Sequence, residues 1–72
     1  PERQAAGRQM HQRLEAAMGE LSTQERAAFV MRHFENLSIA EIAESLQLRE
    51  NATKHSIFRA VRKLRAALGE AG

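Results

Sequence analysis

Basic side chains are concentrated in the C-terminal third of the chain. Residues 49–65 carry one acid, Glu50, and six basic residues: Arg49, Lys54, Arg59, Arg62, Lys63 and Arg65. Residues 1–48 have the opposite balance, with seven Glu and five Arg. Arg and Lys donate hydrogen bonds to the phosphates and base edges of DNA. A basic block on one helix is therefore the electrostatic signature of a nucleic-acid-binding face, although such a helix can also simply face water.

Residues that carry catalysis or bind metals are few. The chain has no Cys and no Asp, and His11, His33 and His55 are spaced 22 residues apart. A metal site needs ligands at short spacing, and none of these pairs supplies it. Glu41 and Glu44 share one helical turn, but Glu41 is better explained as part of a helix cap. We therefore expect no enzyme, no catalytic residue, no metal and no cofactor.

Length and composition indicate a single small helical domain. The chain has 72 residues, 43% of them hydrophobic and 4% aromatic, without Trp or Tyr. A core of Ala, Leu, Ile, Val, Met and three Phe favours helices. No run approaches the roughly 20 apolar residues that a membrane span needs, and no secretory signal is visible. We expect a soluble, cytoplasmic domain with no membrane partner. Because the chain begins at Pro1 and its first Met is Met10, we also expect a longer parent protein.

Two capping boxes predict where the middle helices begin. Ser22 precedes Glu25 by three residues, and Ser38 precedes Glu41 by three. The first box predicts a helix from 23 to about 34, and the second a short helix over 39–46. The inward residues are predicted by helical spacing: Ala27, Val30, Met31 and Phe34 in the first, and Ile39, Ile42, Ala43 and Leu46 in the second. Asn36, between them, tolerates a positive φ.

Two more helices flank this pair. A stripe of Met10, Leu14, Ala17, Met18 and Leu21 predicts a helix over about 4–18 that ends at Gly19. A stripe of Ile57, Val61, Leu64 and Leu68 predicts a long amphipathic helix over about 51–68. No stretch alternates like a strand. The expected fold is all-α, a small four-helix domain, with residues 1–20 as an N-terminal helix and linker and residues 21–69 as a DNA-binding domain.

The third and fourth predicted helices have the dimensions of a helix-turn-helix, in which the second helix enters the DNA major groove. At 100° per residue, His55, Arg59 and Arg62 lie opposite the apolar stripe of the last helix, with Phe58 and Lys63 beside them. Lys54 borders the core and can extend outward. Phe58 could contact a thymine methyl or a sugar, or it could pack on Lys54 or a neighbouring helix.

Three runs of sequence resemble region four of bacterial sigma factors, and most closely the extracytoplasmic-function group. They are Leu-Ser-Thr-Gln-Glu-Arg-Ala-Ala-Phe over 21–29, with Arg32 after it, Asn-Leu-Ser-Ile-Ala-Glu-Ile-Ala-Glu-Ser-Leu over 36–46, and Ala-Thr-Lys-His-Ser-Ile-Phe-Arg-Ala-Val-Arg-Lys-Leu-Arg over 52–65. The likeness covers about residues 12–68. It implies recognition of the promoter −35 element by the last helix, within a holoenzyme where the domain also sits on the β flap of RNA polymerase. Anti-sigma factors often cover the same surfaces.

The resemblance also implies which residues contact double-stranded promoter DNA. On the last helix the matching positions are Lys54, His55, Ser56, Phe58 and Arg59, to which the helix face adds Arg62. Arg32 matches a contact at the end of the second helix, and Ser38 and Ile39 match contacts at the start of the third. The turn departs from the family pattern, with Gln47 for Gly and Arg49 for a capping Ser. Asn51 is then the best remaining cap, which predicts a later start for the last helix.

Two other functions fit parts of the sequence. The output domains of response regulators and quorum-sensing receptors share the Glu-Ile-Ala core, and Lys54-His55 matches them, but their Lys-Leu is usually followed by Gly. A helical protein-interaction module without DNA reading is the second. Phe29 and His33 lie off the predicted apolar stripe of their helix, so they could receive a partner unless the first helix covers them.

Overall fold

A computed structural model of the chain describes the backbone of residues 2–69 and the side chains of residues 7–69. The described residues form four helices and no strand. This confirms the prediction of an all-α domain that contains a helix-turn-helix. The helices are α1 (Glu2–Gly19), α2 (Thr23–His33), α3 (Ile39–Leu46) and α4 (Glu50–Ala67). The helix-turn-helix consists of α3, the turn at 47–49 and α4. The predicted bounds agree to within one or two residues at each end.

Both capping boxes are present and fix the starts of α2 and α3. The backbone N–H of Glu25 donates to Ser22 Oγ at 3.1 Å, and the Ser22 N–H donates to Glu25 Oε1 at 2.9 Å. The second box repeats this geometry, with 3.1 Å from Glu41 N to Ser38 Oγ and 2.8 Å from Ser38 N to Glu41 Oε1. Each box satisfies two N–H groups that have no partner inside the helix, and this holds the helix start in register.

The turn of the helix-turn-helix is built without glycine. Gln47 takes the left-handed conformation, with φ 57°, and the Leu48 N–H donates back to Ala43 O at 2.8 Å. This tight closure of α3 brings the chain directly into α4, which begins at Glu50. The prediction that Asn51 caps α4 is therefore wrong. Arg49 holds the N-cap position with no side-chain cap, and α4 starts one residue earlier than predicted.

The core joins the end of α1 to the middle of α4. Ala17 and Leu21 are buried against Ala60 and Leu64, and Met18, Phe29 and Leu68 pack around them. The first half of the predicted α1 stripe is wrong, because Met10 and Leu14 are exposed, Met10 by 57%. The residues of α1 that pack on the core cluster, Ala17 and Met18, lie near its C-terminal end. Farther back on α1, Arg13 Nη2 donates to Leu68 O at 2.5 Å, just beyond the last turn of α4.

The inward face of α2 differs from the predicted one. Ala28 and Glu25 are the buried residues of α2, and Phe34 is 67% exposed although the spacing placed it inward. Phe29 instead packs against the core cluster. The first helix thus partly covers the Phe29 ring, as plain core packing predicts. The stripe failed here because Ala27, Ala28 and Phe29 are consecutive apolar residues, and spacing alone cannot say which of them faces inward.

The buried face of α4 is also rotated from its predicted position. Its buried residues are small or polar apart from Leu64: Thr53, Ser56, Ala60 and Leu64. Ile57 and Val61, which the spacing placed in the core, are only half-buried. At 100° per residue the rotation is about 60°. Small side chains let α2 and α3 approach the α4 backbone closely, so the larger Ile57 and Val61 remain at the edge.

Candidate nucleic-acid interface

A groove of about 580 Å³ opens where the end of α2, the start of α3 and the middle of α4 meet. Its lining contains four apolar residues and five basic ones, and no acid. The apolar residues are Ile39, Ile57, Phe58 and Val61, and the basic ones are Arg32, His33, Lys54, Arg62 and Arg65. A surface with apolar centre and cationic rim can hold phosphates at its edges and base or sugar groups at its centre.

Three of the predicted DNA contacts on α4 form one stripe along this groove. Lys54, Phe58 and Arg62 are each four residues apart, so they lie one above the other on the helix surface. All three are exposed, Phe58 by 62%. The guanidinium carbon of Arg62 lies 5.9 Å from the centre of the Phe58 ring, within range of a cation–π interaction. Phe58 thereby helps to orient Arg62 over the groove.

Arg32 lines the groove from α2. Its Nη1 donates a 2.9 Å hydrogen bond to the backbone oxygen of Leu37, in the connection between α2 and α3. This bond ties the end of one helix to the start of the next and fixes the guanidinium at the groove. The other nitrogen atoms of the Arg32 guanidinium can still donate to a phosphate. The structure therefore gives Arg32 a structural contact in addition to its predicted DNA contact.

Ser38 and Ile39 stand at the start of α3. Ser38 is exposed, and its Oγ accepts the capping bond from the Glu41 N–H. Its own hydroxyl hydrogen is still able to donate, so a phosphate contact by Ser38 is compatible with the cap. Ile39 is half-buried and forms part of the apolar centre of the groove. DNA contact by these two residues stays a prediction.

Ser56 does not belong to this surface, and its predicted DNA contact is wrong. Its side chain is only 1% exposed. Its Oγ accepts a 2.8 Å hydrogen bond from Gln24 Nε2 on α2. The rotation of α4 explains the error, since it turns Ser56 toward α2. The serine hydroxyl therefore helps to hold α4 on α2.

Arg59 and His55 lie outside the groove. Arg59 lines a second, smaller depression of about 330 Å³ together with Arg62, Lys63 and Ala66. His55 is exposed on the outward side of α4, one turn before Arg59. The rotation of the helix thus moves Arg59 from the centre of the outward face to its flank. The eight predicted residues consequently divide into four in the groove, three exposed beside it, and the buried Ser56.

Sequence reasoning missed several groove residues. The spacing places Ile57 and Val61 in the core, and it does not single out Arg65 and His33 as part of a DNA surface.

Asn51, outside the groove, is a further candidate contact that the sequence interpretation treats as a helix cap. It is exposed in the first turn of α4, on the same side as His55. Asn at such a position can pair with adenine in the major groove. The signal was its spacing of four from His55.

Two glutamates that do not line the groove, Glu25 and Glu41, are held by hydrogen-bond partners of their own. Lys63 Nζ donates to Glu25 Oε1 at 2.7 Å, and Glu25 is buried. The bond from Lys63, followed by the bond from the Ser22 backbone, lowers the pKa of the Glu25 carboxyl below its ordinary value of 4.5. The Ser38 backbone bond likewise lowers the pKa of Glu41. Both glutamates are therefore anionic at neutral pH.

None of the described helices is long and apolar enough to cross a membrane. Within the described part of the chain, no three His or Glu side chains gather as metal ligands would.

A helix-turn-helix whose second helix is basic and outward-facing, with a cationic groove beside it, defines a DNA-binding domain of the class that reads the major groove. The family model described as sigma-70, region 4 matches residues 11–64, and the chain belongs to this family. Domains of this family bind promoter DNA and RNA polymerase. No curated protein and no solved structure gives a significant match to the chain.

Proposed function

We propose that this chain recognises the −35 element of promoter DNA as the C-terminal domain of a bacterial sigma factor of the extracytoplasmic-function group, in the cytoplasm. The observation that carries the proposal is the groove between α2, α3 and α4. It brings Arg32, Lys54 and Arg62, from two different helices, to one surface along the middle of α4. The family match then supplies the promoter as the DNA concerned.

The residues divide by the chemistry each can perform. The first turns of a recognition helix reach base edges, so we assign base reading to Asn51, Lys54 and His55. Arg32 and Ser38, at helix ends beside the groove, are assigned to phosphates, as are Arg59 and Arg62 farther along α4. These contacts fix the register of the helix in the major groove but carry no sequence information.

An amide-resolved NMR titration with short promoter-like duplexes tests the proposal. We expect shifts concentrated at Arg32, Ser38 and residues 51–62, and weaker binding as salt increases. Each phosphate contact contributes about −0.9 to the slope of log affinity against log salt. Lys54→Ala should remove most of the shift changes in the first turns of α4. Lys63→Ala is the matched control, because it also removes one positive charge from α4 but outside the groove, and circular dichroism verifies that losing the Glu25 contact leaves the fold intact. Duplex-induced shifts confined to residues 10–34 would contradict the proposal.

A second candidate function is docking onto the β flap of RNA polymerase. An aromatic cluster at the C-terminal end of α2 favours it: the centre of the Phe29 ring lies 4.6 Å from that of His33 and 6.2 Å from that of Phe34, and Phe34 is largely exposed. We expect Phe34→Ala to weaken binding of a flap peptide while leaving DNA binding intact. Phe29→Ala is less informative because Phe29 also packs on the core.

The flap experiment also bears on the remaining alternatives. An output domain of a response regulator would bind duplex DNA, and we expect it to show no response to the flap peptide. A pure interaction module would bind the peptide and ignore DNA. A sigma-factor domain should bind both through separable residues, with an anti-sigma factor as a competitor for either surface.

A further inference from the structure

Phe58 is a large apolar side chain placed inside a cationic stripe. It lies one turn after Lys54 and one turn before Arg62, and it is 62% exposed. An exposed phenyl ring gains nothing from water, and phosphate binding alone would be served better by another basic residue at this position. Its neighbours toward α3 are apolar too, since Ile57, Val61 and Ile39 line the same groove. The stripe is thus suited to a ligand with anionic edges and an apolar group between them.

Duplex DNA presents such a combination in the major groove. The phosphates flank the groove on both sides, and among the exposed base edges the apolar group is the C5-methyl of thymine. Cytosine, adenine and guanine present no methyl group there. The absence of acids among the groove-lining residues agrees with a polyanionic ligand. Arg62, 5.9 Å from the centre of the Phe58 ring, can bond a phosphate while the exposed part of the ring is left to contact a base.

We propose that Phe58 is a specificity-determining residue that contacts the C5-methyl group of a thymine in the recognised DNA. The inference rests on the proposed function, because it requires that α4 enters the major groove. It adds a base preference at the groove: a thymine next to the bases that the first turns of α4 read. Ile57 completes the apolar surface around the methyl group.

Replacing thymine by deoxyuridine tests this, because the change removes the methyl group and preserves base pairing. Duplexes are first selected from a random pool with the wild-type chain, and each thymine of the selected sequence is then replaced singly. At one position we expect an affinity loss of about four-fold, the value of one buried methyl group. With Phe58→Ala the thymine and deoxyuridine duplexes should bind equally. Phe58→Leu should retain part of the difference.

Phe34→Ala is the matched control, since Phe34 is equally exposed but does not line the groove. It should keep the full thymine preference. Circular dichroism of each variant verifies that it is folded. A selected sequence without thymine, or equal binding of all deoxyuridine duplexes by the wild type, overturns the inference while leaving DNA binding intact.

Two other outcomes also overturn it. If Phe58→Ala weakens every duplex alike and the wild type shows no methyl effect, the ring contacts a sugar. If no duplex is selected, and an acidic helical peptide instead shifts the Phe58 resonances, the groove is a protein site. That last outcome also refutes the proposed function, whereas the others do not.

Discussion

Lys63 Nζ on α4 lies 2.7 Å from Glu25 Oε1 on α2. The same carboxylate oxygen accepts a hydrogen bond from the Ser22 N–H at 2.9 Å. One carboxylate oxygen thus caps α2 and anchors α4. Beside it, Gln24 bonds Ser56, so two consecutive residues of α2 hold the recognition helix. The position of α4 relative to α2 is therefore fixed by polar contacts as well as by the core.

The first prediction concerns the stability that this pair provides. Glu25→Ala should cost about 1–2 kcal/mol of unfolding free energy, because it removes a cap and the partner of Lys63. Glu41→Ala is the matched control, as it removes the equivalent cap on α3 without a lysine, and it should cost less. Urea unfolding of the single and double variants with Lys63→Ala measures the coupling. Since Lys63 is 44% exposed, we expect about 0.5–1 kcal/mol. Strictly additive effects of the two substitutions would contradict the shared-oxygen geometry.

The second prediction concerns acid stability. The folded-state pKa of Glu25 is lowered, chiefly by Lys63, so its contribution is fully present above the ordinary pKa of 4.5. It is lost as the pH falls through the lower folded value, when the carboxyl gains a proton. Glu41 acts in the same direction through Ser38. Unfolding curves between about pH 6 and pH 3 should show falling stability, with a shallower decline in Glu25→Gln. An unchanged decline in that variant would assign the acid sensitivity to other groups.

The third prediction addresses the left-handed turn. Gln47 has φ 57°, a conformation that costs a non-glycine residue about 1–2 kcal/mol. Glycine relieves this strain but increases the freedom of the unfolded chain, so Gln47→Gly should raise stability by up to about 1 kcal/mol. Gln47→Val should lower it, because β-branched residues tolerate this region worst. Thermal and urea unfolding compare the three chains. A more stable valine variant would show that the turn adopts another conformation in solution.

The fourth prediction separates the two roles of Arg32. Arg32→Ala should weaken duplex binding and reduce the magnitude of the salt slope by about one, as loss of one phosphate contact requires. Arg32→Lys keeps the charge but lacks the forked guanidinium that bonds Leu37 O while reaching outward. We expect it to keep the salt slope yet bind more weakly than the wild type. Fluorescence anisotropy at several salt concentrations provides both values. Wild-type affinity for the duplex in Arg32→Lys would mean that the hydrogen bond to Leu37 has no effect on DNA binding.

The fifth prediction distinguishes phosphate contacts from base reading on α4. Arg59 lies on the flank of the outward face, so Arg59→Ala should weaken all duplexes to a similar extent. His55 lies closer to the start of the helix, and His55→Ala should reduce discrimination at one base position by about 1 kcal/mol. Competition binding against single-base variants of a selected duplex compares them. If Arg59→Ala instead reduced discrimination at one base position and His55→Ala weakened all duplexes alike, Arg59 would be the base-reading residue, as its predicted position at the centre of the outward face implies.

Local signals predicted the elements of this fold well. The two Ser-x-x-Glu boxes located the starts of α2 and α3, and the positive φ at Asn36 followed from residue type. These features depend on contacts within a few residues. Which side of α2 and of α4 is buried depends on how closely the helices approach each other. The small residues Ser56 and Ala60 allow a close approach, and hydrophobic periodicity gives no information about it. A polar residue such as Ser56 enters the core because Gln24, far away in sequence, supplies its partner.

The same limit applies to the candidate interface. The basic character of α4 and the contribution of Arg32 could be predicted, because charge and motif position are visible in the sequence. The groove could not be predicted, since its walls come from three helices and its apolar centre includes Ile57 and Val61, whose spacing is that of core residues. The start of α4 was misplaced because the closure of α3 by Leu48 N–H depends on a left-handed Gln47, which residue type disfavours.

The glycine-free turns also have a consequence for the unfolded chain. Gly19 and Gly69 bracket the helices α2 to α4, and no glycine lies between them. Each non-glycine residue samples fewer backbone conformations, so the disordered ensemble of this segment is narrower and loses less entropy when it orders. For a domain with so small a core, this smaller loss of backbone entropy contributes to the folding free energy independently of any tertiary contact. The positive φ of Asn36 and Gln47 strains the folded backbone, and this strain offsets part of the stabilisation.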